Sequence, residues 1–130
     1  MVEPLRVVIE EIPHAEQRYE TCGDWWVGSD GTWHVRVSNT GKWQHAVLVA
    51  VHELIEMALC RERGVTEDSV TQFDLDFEAA RPEGNTDEPG DDPSAPYQKE
   101  HQFATTVELL LAAELGVKWR EYERAIEALP

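Results

Sequence analysis

The chain has 130 residues, enough for one domain with a buried core and too few to divide comfortably into two. It carries 26 acidic against 11 basic residues, a formal charge of −15 with no basic block, which argues against nucleic-acid binding through a general cationic surface. No apolar run approaches the roughly 18 residues of a membrane span or forms a signal-peptide core, and two cysteines, Cys22 and Cys60, are too few for a disulfide framework; a soluble protein of the reducing cytoplasm is expected.

Residues 5–12, LRVVIEEI, are rich in β-branched types and predict a strand. From Trp25 to Val37 a second such region is broken by Ser29, Asp30 and Gly31, a turn signal, and predicts a hairpin. Three short strands make a small antiparallel sheet that needs helices on one face. Thr40 or Asn39 is placed to cap a helix through residues 44–63, stopped by Gly64, with Arg61 and Arg63 near the negative end of its dipole. Thr66 predicts the cap of a second helix with the apolar stripe Val70, Phe73, Phe77 and Ala80, ended by Pro82. Residues 82–96 hold four prolines, two glycines and five acidic side chains, so a flexible acidic loop is expected there, forming no regular element and burying nothing. It is a lid over the site, a disordered connection or a tight cap on the third helix. A third helix over about 97–115, stopped by Gly116, and a short fourth over 119–129 complete an α+β domain.

The chemistry concentrates in residues 52–56, HELIE. His52 and Glu56 stand four residues apart, on one helical face and about 6 Å apart along the axis, so an imidazole and a carboxylate can bind one ion. Glu53, rotated by about 100°, is placed to reach a metal-bound water without taking a coordination position. The alternative is an ordinary amphipathic helix whose polar residues face water. Against it, Val47, Leu48, Val51, Leu54, Ile55, Ala58 and Leu59 wrap most of the circumference, so the helix is expected to be buried on nearly every side, and a buried His and Glu need partners.

The segment VAVHELIEMALC resembles the active-site helix of zincin metallopeptidases, whose motif is H-E-x-x-H, and the order of sheet then helix is similar to the minimal zincin fold. More loosely, the whole sequence is similar to small uncharacterised proteins of bacteriophage and bacterial genomes. The zincin resemblance implies that His52 is the first ligand of a Zn²⁺ ion, that Glu53 is the general base, and that Glu56 stands where the family has its second histidine.

A mononuclear site needs a third protein ligand. His101 shares a face of the third helix with Tyr97, Ala104, Glu108, Leu111 and Leu115, and side-chain type favours it. Asp74 falls on the buried side of the second helix, as a ligand or as an acceptor orienting a ligating imidazole. The resemblance favours Asp74 or Glu78, because glutamate-ligand zincins take a carboxylate from the next helix. Glu108 is a further candidate acceptor. His45 lies about 10.5 Å from His52 along the axis, too far to share an ion, and His14 and His34 have no spacing argument. The leading expectation is a zinc-dependent hydrolase, most naturally a peptidase with a peptide or protein substrate. The alternatives are a metal-stabilised acidic interaction protein without catalysis and a Mg²⁺-dependent nucleotide pyrophosphatase using Glu53, Glu56, Asp74 and Glu78.

Overall fold

A computed structural model describes residues 4–130 as an α+β fold: a three-stranded sheet followed by four helices. The strands are β1 (Val7–Ile12), β2 (Gly23–Val27) and β3 (Trp33–Ser38); the helices are α1 (Trp43–Glu62), α2 (Glu67–Ala79), α3 (Gln98–Glu114) and α4 (Trp119–Glu127). Among the described residues no helix is long and apolar enough to cross a membrane.

The hairpin between β2 and β3 forms as expected, closed by a bond from the Gly28 amide to the Thr32 carbonyl at 2.8 Å. Gly31 takes φ 85° in that turn, a left-handed conformation that costs glycine little. The sheet is mixed, however, and not wholly antiparallel: β1 pairs parallel with β3, giving the order β1, β3, β2. The reason is burial. Val35 and Val37 of β3 are almost fully enclosed, whereas β1 carries exposed Glu10 and Glu11, so β3 takes the centre and the acidic strand an edge.

Helix α1 starts later than its capping signals suggest. Its N-cap is Lys42, with no side-chain cap; Asn39 instead accepts from the Gly41 amide at 2.6 Å, and Thr40 bonds His45 Nδ1 at 2.8 Å. The stop is as expected: Val65 N–H reaches Cys60 O and Gly64 N–H reaches Arg61 O, the paired bonds of a Schellman turn, repeated after α3 at Val117 and Gly116. Thr66 caps α2 by accepting from Ser69 N–H at 3.2 Å.

The side of α1 that faces inward was not the one its apolar residues suggest. Leu48, Val49, Met57 and Cys60 are buried, but so are His52, Glu53 and Glu56, while Val47 and Ala58 are exposed and Val51, Leu54 and Ile55 are half-buried. The helix is therefore not enclosed on nearly every side. It turns its charged residues to the interior. Residues 82–96 also depart from expectation, forming a 3-10 turn at Pro89–Asp91 with Gly90 and Ala95 buried.

Leu48, fully enclosed between α1 and the sheet, is the natural test of this packing. Leu48→Ala is expected to lower the unfolding free energy in denaturant titration by about 3 kcal/mol, the transfer and cavity cost of a core leucine.

Candidate metal centre

His52 and Glu56 project from α1, and His101 projects towards them from the facing helix α3. His52 Nε2 lies 3.2 Å from Glu56 Oε2 and 3.2 Å from His101 Nδ1, and His101 Nδ1 lies 3.1 Å from Glu56 Oε2. Donors bound tetrahedrally to zinc at about 2.0–2.1 Å sit about 3.3 Å apart, so this triangle has the size of one face of such a site.

Proton accounting makes the triangle more telling. His52 Nδ1 faces Glu108 Oε1 at 2.8 Å, and His101 Nε2 faces Glu88 Oε2 at 2.9 Å, so the outward nitrogen of each ring donates its hydrogen to a carboxylate. In the neutral imidazoles both inward nitrogens then carry lone pairs. With Glu56 Oε2 that is three electron pairs converging in a buried space, an arrangement that requires a cation or extra protons. The outward bonds are also what a metal-ligating histidine needs to fix its tautomer and ring orientation.

Each supporting group is itself held. Trp25 Nε1–H donates to Glu56 Oε1 at 3.0 Å, leaving Oε2 for the centre, and the Tyr122 hydroxyl donates to Glu108 Oε2. A Cβ on Gly90 would come within 2.3 Å of His101 Cγ, so residues 88–91 press directly on the imidazole, and only glycine permits it. Gly23 plays the same part for Glu53: a Cβ there would fall 2.7 Å from Glu53 Cγ. Glu53 Oε2 lies 3.8 Å from His52 Nε2, and its carboxylate accepts no hydrogen bond among the described residues. These side chains line a cleft of about 670 Å³.

The structure thus brings His52, Glu56 and His101 together, with Glu53 beside them and Glu108 as an acceptor. Asp74 is elsewhere engaged: it accepts from the Tyr19 hydroxyl at 3.0 Å and from the Tyr97 hydroxyl. Glu78 is paired with Arg81 at 2.6 Å, so Glu53, Glu56, Asp74 and Glu78 do not gather into a carboxylate cluster. His45 bonds Thr40, His14 lies between Ser38 and Glu20, and His34 stacks on Trp26. Sequence reasoning missed Trp25, Glu88, Gly90 and Gly23, all contributed by segments remote from HELIE; the one available signal was an acidic, glycine-containing loop just before the His101 helix.

Burial would lower the His101 pKa, but its bonds to Glu56 and Glu88 outweigh this and raise it to about 10. His52 is likewise held well above its ordinary value: burial opposes, and Glu108 and Glu56 prevail. Glu56, despite burial, falls to about 2 because both imidazoles donate to it. Glu53 is pushed well above the usual carboxylate range, by burial and then by the Glu56 charge. In the metal-free protein protons therefore occupy the triangle.

A protonated His101 stabilises the fold fully below its unfolded value of 6.5, and that contribution disappears as pH rises to about 10. The melting temperature of the metal-free protein is accordingly expected to fall on the alkaline side of pH 6.5, with Glu53 acting in the same sense. At neutral pH zinc uptake should release about two protons into a weakly buffered indicator solution; uptake with no release would contradict this protonation state. Glu108→Gln, which keeps the shape but removes the charge opposite His52, should weaken zinc binding by about 10–100-fold in competition with a chromophoric chelator.

No protein-family model, curated protein or solved structure matches this chain.

Proposed function

We propose that the protein is a zinc-dependent hydrolase acting on amide bonds, a cytoplasmic peptidase in which His52, Glu56 and His101 hold the ion and Glu53 is the general base. The observation that carries this reading is the meeting of three potential ligand atoms within 3.2 Å of one another beside a buried carboxylate that has no hydrogen-bond donor among the described residues. Three protein ligands leave a tetrahedral ion one open position, the hallmark of catalytic as against structural zinc. Zinc there supplies Lewis acidity, polarising a substrate carbonyl and acidifying a water molecule.

The remaining work falls to the chain's own residues. Glu53 lies close enough to the ligand nitrogen of His52 to take a proton from water as the water oxygen adds to the substrate carbonyl carbon, and it returns that proton to the departing amine as the C–N bond breaks. Burial and the Glu56 charge raise its proton affinity above that of an exposed carboxylate, which makes it a stronger base for this step. Glu108 and Glu88 keep the imidazoles aligned. Two unpaired cysteines support a reducing compartment.

Glu53→Gln is expected to retain one zinc per chain by elemental analysis while turnover of a peptide library falls by at least about 1,000-fold. Loss of zinc in that variant would make Glu53 a ligand and overturn the mechanism. A chelator-sensitive melting temperature in a wild type that cleaves nothing would leave the ion a structural role, joining α1 to α3.

A further inference from the structure

Charge is segregated to the cleft. Among the described residues 13 acidic side chains line it, against one arginine, Arg81, and no lysine. Arg81 is already engaged by both oxygens of Glu78 and by Asn85. A concave surface of one sign with low-dielectric walls focuses its field, drawing in cations and repelling anions.

Two further features point to a ligand. The Glu53 carboxylate, in a residue only 8% exposed, lines the cleft without a hydrogen bond from any described residue. Helix α4 presents Trp119 and Ile126 to the cleft alongside exposed Glu123 and Glu127, and Leu129 just beyond it joins them. An apolar strip bordered by free carboxylates matches a lysine or arginine side chain, whose alkyl stem seeks apolar contact while its cationic head seeks an acid.

We infer that the cleft takes a cationic peptide, seating lysine or arginine side chains along α4 next to the metal centre. This rests on the amide-hydrolase reading for the choice of a peptide, while the shared chemistry, a run of ammonium or guanidinium groups, also belongs to free polyamines. Anionic substrates, nucleotides included, meet the same field as a barrier.

The test uses the full chain in the zinc-loaded Glu53→Gln background, so that no probe is consumed, and reads fluorescence anisotropy with a labelled octapeptide of alternating lysine and alanine. The double variant Glu123→Lys, Glu127→Lys is expected to weaken binding by at least about tenfold. The control Glu62→Lys, Glu114→Lys, which changes net charge equally at two helix ends outside the cleft, is expected to change it by less than about twofold. A glutamate-alanine octapeptide should not bind, and spermine should bind more weakly than the lysine peptide. Equal weakening by the two double variants would mean diffuse attraction to an acidic protein and would overturn the inference, as would absence of binding or a preference for spermine. Binding with the expected pattern in a protein whose wild type hydrolyses nothing would retain the cationic ligand and reject the peptidase.

Discussion

The structure depends on the convergence of three electron pairs, those of His52 Nε2, His101 Nδ1 and Glu56 Oε2, in a space from which water is largely withdrawn. Left uncompensated, such a cluster is among the costliest things a small domain can bury. Positive charge must enter it, and the groups around it are arranged to keep it open for that purpose. Glu108 and Glu88 take the outward hydrogens of the two rings, and Trp25 occupies the second oxygen of Glu56. Trp25 and Tyr122 belong to the hydrophobic core, so the geometry of the centre is inherited from the same packing that holds the fold together.

That demand explains the orientation of α1. An ordinary surface helix turns its apolar face inward, yet here the inward face carries two glutamates and a histidine while Val47 stays at the surface. The arrangement is stable only because α3, β2 and the loop before α3 each bring a partner. It also opens the centre to a cleft whose charged wall residues are, apart from Arg81, acidic. The proposed ion binding and the proposed selection by charge would therefore come from one feature, the inward-facing polar side of a helix.

Much of this was readable in the sequence. The four-residue interval between His52 and Glu56 is a property of the helix itself, and His101 and Glu108 shared a face with apolar residues that had to be buried, so periodicity brought three candidate ligands and one candidate acceptor into consideration. The α+β order of elements, the cap at Thr66 and the stops at Gly64 and Gly116 are local signals and were equally plain. What stayed hidden is non-local. Nothing in the composition of the first strand says that its neighbour will be β3 in parallel, because strand propensity carries no partner information. Asp74 sits on the buried side of α2 as its spacing requires, but whether that carboxylate meets an ion or two tyrosine hydroxyls depends on where Tyr19 and Tyr97 arrive. The loop before α3 was the least legible: its prolines and acids suggest solvent, and the contact of Gly90 with an imidazole is a tertiary fact.

Glu56 and His101 are 45 positions apart along the chain, with all of α2 and the proline-rich connection between them. A cation bridging the two ties off a loop of that length, and by the chain-entropy model such a cross-link restricts the unfolded ensemble by about 4 kcal/mol, as much as a well-placed disulfide. With both thiols unpaired, an ion held by these residues would be a reversible staple, independent of the redox conditions that a disulfide requires.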